Sequence, residues 1–170
     1  METHRLVSGA MTLAAAILAL VTLQRLAEAA WARANTRRLL AAGAVEKGAG
    51  HYWVLIGLHV LWLAGLWVLA FDAAVSPPWL GVYLLLQVFR VWILWTLGRR
   101  WTTRIVVAPG EKLVAAGPYR FVRHPNYIVL AAEVATLPVV FGLWRYAAVF
   151  ALLNLAVLAW RIAVEEQALA

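Results

Sequence analysis

The feature that most restricts what this chain can become is its run of five apolar stretches, at residues 6–23, 52–71, 79–98, 127–143 and 146–160. A helix needs about 20 predominantly apolar residues to cross a bilayer, because every backbone N–H and C=O must be satisfied inside the segment. The first three stretches meet that length. The last two are short, and the Gly142–Arg145 region between them reads as a tight turn. They are expected to form a helical hairpin whose second arm continues past the membrane surface. With 65% hydrophobic and 14% charged residues, against about 25% charged in soluble domains, the chain fits neither a water-soluble globule nor a disordered polymer. It is read as one domain over residues 1–170, an all-α integral membrane protein of about five transmembrane helices. Helices at 1–98 precede a chemically active region at 99–170.

The charges test this parsing. Arg33, Arg37, Arg38 and Lys47 follow the first stretch, and Arg99, Arg100, Arg104, Lys112, Arg120 and Arg123 follow the third. Between stretches two and three stand Asp72 and Ser76-Pro77-Pro78, with no basic residue; between the last two there is only Arg145. Basic and basic-poor loops alternate, as the positive-inside rule requires of a chain with its N-terminus outside and its C-terminus in the cytoplasm. The net charge of +7 is thereby explained by topology, and no nucleic-acid partner is expected. The N-terminus also has signal-peptide character, in Arg5, the apolar run and Ala27-Glu28-Ala29. The Ala- and Arg-rich helical pattern continuing from Arg25 to Leu40 favours a retained span.

There is no cysteine, so thiolate metal sites and a cysteine nucleophile are excluded, and four scattered histidines make no metal motif. Gly48-Ala49-Gly50 follows no strand and is not a dinucleotide fingerprint. Glu133, Gln87, Arg90, His59 and Asn154 fall inside apolar stretches, where polar groups are costly and each is a functional candidate. Glu133 and Arg90 are expected to pair across helices. The alternative is a proton carrier at Glu133, as in a small proton-coupled exporter.

The densest chemistry lies in Gly117-Pro118-Tyr119-Arg120-Phe121-Val122-Arg123-His124-Pro125-Asn126-Tyr127. Pro125 suits the first position of the fourth helix, where its missing N–H costs nothing. His124 then sits at the cap, and the N–H groups of Asn126 and Tyr127 open an anion site at the helix start. Tyr119 and Tyr127 offer ring faces to a cation or a flat ligand. The plainer reading is that Arg120 and Arg123 anchor the helix to anionic headgroups and His124 merely caps it. Near the C-terminus Arg161 and Glu165, four apart, share a helix face, either as an exposed ion pair or as part of a site converging with the first segment.

Leu113-Val114, Gly117-Pro118-Tyr119, Arg123-His124-Pro125-Asn126-Tyr127, and Arg161 with Glu165-Glu166 resemble the isoprenylcysteine carboxyl methyltransferase family. The whole chain, through Gln24-Arg25-Leu26 with Glu28, His51-Tyr52, Leu97-Gly98, Trp101-Thr102-Thr103-Arg104-Ile105 and Ala163-Val164-Glu165-Glu166, is similar to small bacterial members that often accompany type III polyketide synthases. The resemblance implies a multi-pass enzyme of the bacterial cytoplasmic membrane that uses S-adenosylmethionine. It places the cofactor, in a cytoplasmic segment between helices three and four, against Lys112, Leu113, Val114, Tyr119, His124, Pro125, Asn126, Tyr127 and Glu165. It places the acceptor's anionic group at Arg161. Arg161 and Glu165 are the residues expected to carry the reaction, without a metal. The implied acceptor is lipophilic, an alkylpyrone, phenolic lipid or isoprenylcysteine-like carboxylate, reached sideways from the bilayer lipids. The chain lacks the extra N-terminal spans of the eukaryotic enzymes, which counts against prenylcysteine.

Overall fold

The computed structural model describes residues 2–47, 49–107, 110 and 114–169. Five helices carry the fold: α1 (Glu2–Ala41), α2 (Ala49–Leu69), α3 (Pro77–Leu97), α4 (Pro125–Val140) and α5 (Trp144–Leu169). Four contain stretches long and apolar enough to cross a membrane, at Leu13–Ala41, Tyr52–Leu69, Pro77–Arg100 and Trp144–Gln167. The all-α membrane architecture expected from the sequence is therefore present. The fourth expected span is shorter than the others. With 16 residues, α4 is about 24 Å long at 1.5 Å per residue, against a hydrocarbon core of about 30 Å.

Two helices run past their apolar stretches, as expected: α1 has 40 residues and takes in the pattern from Arg25 to Leu40, and α5 runs 26 residues to Leu169. The hairpin is as expected. Gly142 takes φ 74°, a left-handed conformation that glycine adopts without a Cβ penalty. The amides of Gly142 and Leu143 close the end of α4 by donating to the carbonyls of Val139 and Pro138 at 2.9 and 3.0 Å.

One element was not expected. Val45–Lys47 (β1) pairs antiparallel with Ile105–Val107 (β2), Val45 opposite Val107 and Lys47 opposite Ile105. Each strand has three residues, too short for an alternation to be visible in the sequence. The pair is clamped by Arg104, whose Nη1 donates to both oxygens of Glu46 at 3.0 and 2.8 Å while its guanidinium lies 4.6 Å from the Tyr52 ring centroid. The hydrogen bond that Arg104 donates to Glu46 is the main reason that the Arg104 pKa lies above its ordinary value.

The helices pack with their apolar exteriors outward: Val68 is 81% and Trp95 84% exposed. Inside, Leu18 and Val21 of α1, Trp62 and Leu66 of α2, Tyr83 of α3, Leu130, Val134 and Leu137 of α4 and Leu158 of α5 form one cluster. α4 makes its broadest contacts with α3 and α5, and it is this packing that brings its N-terminus beside the C-terminal turns of both.

A polar network crosses the same interior. Arg90 Nε and Nη2 bind Glu28 bidentately at 3.1 and 2.6 Å, and its Nη1 reaches Glu133 at 3.3 Å. Arg25 joins Glu133 at 2.8 Å and Glu28 at 3.2 Å. Gln24 bridges Glu28 and Gln87, and Gln87 donates to Glu133 at 2.8 Å. Two guanidiniums thus face two carboxylates, so the cluster is neutral, as the low-dielectric interior of a bundle demands. The expected Glu133–Arg90 pair is there, inside a larger set that α1 completes.

A candidate active site at the converging helix ends

The C-terminal ends of α1, α3 and α5, the N-terminus of α4 and both strands gather at one end of the bundle. Between them lies a cavity of about 720 Å³. Part of its lining is apolar, with Leu97, Trp101, Ile105, Val107 and Val114; another part is polar, with His124, Asn126, Tyr127, Arg161, Glu165 and Glu166.

The polar wall is built by two helix ends. On α5, Arg161 and Glu165 form no direct ion pair. Instead Arg161 Nε donates to the Tyr127 hydroxyl at 2.8 Å, and that hydroxyl donates to Glu165 Oε2 at 2.5 Å. Arg161 is 4% exposed, so the exposed surface pair is not what the helix spacing produces. Its Nη1 is buried without a partner among the described residues, as is Asn126 Oδ1. Both are hydrogen-bonding atoms closed off from solvent in residues that line the cavity, an arrangement that costs free energy.

The helix start differs from expectation in three details. His124 occupies the cap position but makes no side-chain capping bond. Its ring stacks on Tyr127, with centroids 5.4 Å apart and planes 16° from parallel, and Nε2 stands 4.0 Å from Glu166. The Tyr127 N–H bonds back to the His124 carbonyl at 3.1 Å, so only one of the two expected amides is available to an anion. The Tyr127 ring is covered as well, by His124 and by the Arg161 guanidinium at 5.6 Å. Tyr127 therefore contributes its hydroxyl rather than a ring face. Tyr119 lines the cavity, and burial holds its hydroxyl pKa above the usual tyrosine range.

Of the other expected site residues, Val114 and Glu165 line the cavity, while Pro125 is buried at the helix start outside the lining. Lys112 and Leu113 lie outside the described residues. Arg123 reaches the rim, whereas Arg120 turns away and lies 5.4 Å from the Phe121 ring centroid. The apolar wall, above all Trp101 and β2, had been given no role. The basic residues around it report on topology, and nothing in three consecutive apolar residues announces a cavity wall.

Glu133 is fully buried, held by Arg25, Arg90 and Gln87, and lines neither this cavity nor the groove between α1 and α3. The exporter reading, which needs a carboxylate reachable by protons, finds no support. His59 bonds the Leu55 carbonyl through Nδ1 at 2.9 Å, in keeping with a structural role.

The sequence model of the isoprenylcysteine carboxyl methyltransferase family matches residues 79–170, the half of the chain that contains the cavity's main walls. The chain is also similar to the uncharacterized protein YpbQ of Bacillus subtilis (strain 168), with 37% identity over 158 residues, 90% of this chain and 94% of that protein. No solved structure matches.

Proposed function

The chain belongs to the isoprenylcysteine carboxyl methyltransferase family of membrane methyltransferases, and from that membership we propose that it is an S-adenosylmethionine-dependent O-methyltransferase for a lipophilic acceptor. The observation that carries the reading is Arg161, buried at the cavity with Nη1 unpartnered among the described residues and Nε fixed by Tyr127, itself bonded to Glu165. The residues fit the cofactor. About 720 Å³ falls within the roughly 300–1,000 Å³ of small-molecule sites. Glu165 and Glu166 suit an ammonium group, and Asn126 Oδ1 offers an unused acceptor. When bound, S-adenosylmethionine supplies a methyl group on a positively charged sulfur.

The protein's share of such a reaction is alignment and exclusion of water. Tyr127 holds Arg161 and Glu165 in a fixed relation, so that neither side chain must be ordered when ligands arrive. Arg161 stabilises an anionic acceptor oxygen, and an acceptor that arrives ionised, a carboxylate or a hydroxypyrone, needs no base. A neutral phenol does need one. Glu133 is sealed in the network and out of reach, whereas His124 lines the cavity and is placed for that task. The acceptor's tail lies in the bilayer.

The site end carries Arg37, Arg38, Arg99, Arg100, Arg104 and Arg123, which supports a cytoplasmic orientation by the positive-inside rule. Titration of the purified protein in detergent with S-adenosylhomocysteine tests the assignment: saturable binding is expected, and its absence sinks the reading.

A further inference from the structure

We propose that the turn Arg120-Phe121-Val122-Arg123, just before α4, lies in the headgroup layer of the bilayer and binds anionic phospholipid through its two arginines. Phe121 is 72% and Val122 42% exposed, and Arg120 and Arg123 on either side are exposed as well. The Arg120 guanidinium lies 5.4 Å from the Phe121 ring centroid, so charge and ring form one amphipathic unit. In water such a ring exposes apolar area at a cost. At the headgroup boundary the ring enters the acyl side while the guanidiniums meet phosphates, whose geometry suits their planar fork.

Two rulers set the depth of the turn. The opposite face of the membrane is marked by Trp79 at the start of α3 and Trp144 at the start of α5. Both rings are exposed and they meet with centroids 5.4 Å apart, as befits tryptophans at the headgroup level. The end of α4 shares that level, because the Ser76 amide donates to the Val140 carbonyl at 2.8 Å. From there α4 spans about 24 Å, short of the hydrocarbon core of about 30 Å. Along α3, the step from Trp79 to Thr96 is about 26 Å. Gly117, which opens the turn before Arg120, packs on Thr96 so closely that a Cβ there would overlap the threonine hydroxyl. By both measures the chain entering α4 stands at the membrane boundary and not beyond it.

The charge available there is positive. Neither Arg120 nor Arg123 pairs with a carboxylate among the described residues. The described carboxylates nearby have partners of their own: Glu46 holds Arg104, Glu165 accepts from Tyr127, and Glu166 stands 4.0 Å from His124. An anionic headgroup therefore complements the turn better than a zwitterionic one. Arg123 also lines the cavity, so at this rim the cavity meets the headgroup layer. The inference is independent of the reaction proposed above.

The chain has no cysteine, so a nitroxide can be attached at one position alone. Phe121→Cys is labelled and reconstituted in vesicles of phosphatidylcholine and phosphatidylglycerol in equal parts. Its collisions with oxygen, which concentrates in the bilayer, are compared with those with a water-soluble nickel chelate. Oxygen is expected to dominate, as for a label at Trp95→Cys, the neighbour of Thr96 on the exterior of α3. Dominance of nickel overturns the proposal, as does spin–spin broadening from a second copy seated on the turn. In a second arm the unlabelled protein is titrated in detergent with each of the two lipids and followed by native mass spectrometry. Wild type should prefer phosphatidylglycerol. Arg120→Gln/Arg123→Gln should lose about fivefold or more of that preference, since each arginine beside an anionic surface contributes about that factor. No preference in wild type, or one unchanged in the double variant, overturns the anionic-lipid assignment.

Discussion

Arg161 and Tyr127, 34 positions apart on two different helices, meet through a 2.8 Å hydrogen bond from Nε to the phenol oxygen. That contact fixes the site, because the same hydroxyl donates a hydrogen bond to Glu165 and so locks two opposite charges that share a helix face. Tyr127→Phe breaks both bonds and leaves the buried Arg161 and the half-buried Glu165 without their common partner. Hydrogen bonds to charged groups contribute about 1.5–3 kcal/mol, so a drop of roughly 10- to 100-fold in kcat/KM is expected. Methyl-transfer rates of wild type and variant check it, and an unchanged rate removes Tyr127 from the site.

The buried network gives a stability prediction. Glu133→Gln leaves Arg25 and Arg90 facing one carboxylate, and breaking a buried pair from one side costs about 3–5 kcal/mol. Replacing Arg25 and Glu133 together by Met and Leu preserves charge balance and keeps the bidentate Arg90–Glu28 pair. The double variant should melt in detergent at a higher temperature than Glu133→Gln. The reverse order would show that charge balance does not govern this interior.

Helix packing offers a test far from the site. A Cβ on Gly65 of α2 overlaps the Tyr146 hydroxyl of α5, which donates to the Trp62 carbonyl at 2.8 Å. Gly65→Ala should cost about 1–3 kcal/mol by overpacking, and Tyr146→Phe in the same chain should recover much of it. Thermal melts of the single and double variants decide the matter.

Glu46→Gln loosens Arg104, which borders β2 and the cavity wall. The pair is partly exposed, so its stability effect should stay under about 1 kcal/mol. S-Adenosylhomocysteine affinity should fall a few-fold, most at low salt, where such charges are least screened. An affinity independent of both substitution and salt would separate the sheet from ligand binding.

The site was more legible in the sequence than the frame that supports it. His124, Asn126, Tyr127, Arg161 and Glu165 stand in short motifs, and all line one cavity. Their relation was not legible: spacing of four suggests an Arg161–Glu165 pair, and only packing of α4 on α5 puts a phenol between them. Gln24, Arg25 and Glu28 looked like the end of a membrane segment, because a charge in an apolar helix is indistinguishable from a surface charge until its partner is known. Those partners, Gln87, Arg90 and Glu133, sit about 60 to 110 residues away. Trp101 was inconspicuous for a similar reason: in a chain with 10 tryptophans, lipid-facing and cavity-lining rings read alike.

The most direct test of the account is transfer of a labelled methyl group from S-adenosylmethionine to a 4-hydroxy-6-alkyl-2-pyrone by purified wild type, Arg161→Ala and Glu165→Ala. The account predicts a product one methyl group heavier from wild type alone. It also predicts S-adenosylhomocysteine binding retained in Arg161→Ala and lost in Glu165→Ala. Full transfer by Arg161→Ala, or a wild type that neither binds S-adenosylhomocysteine nor forms the product, would contradict it.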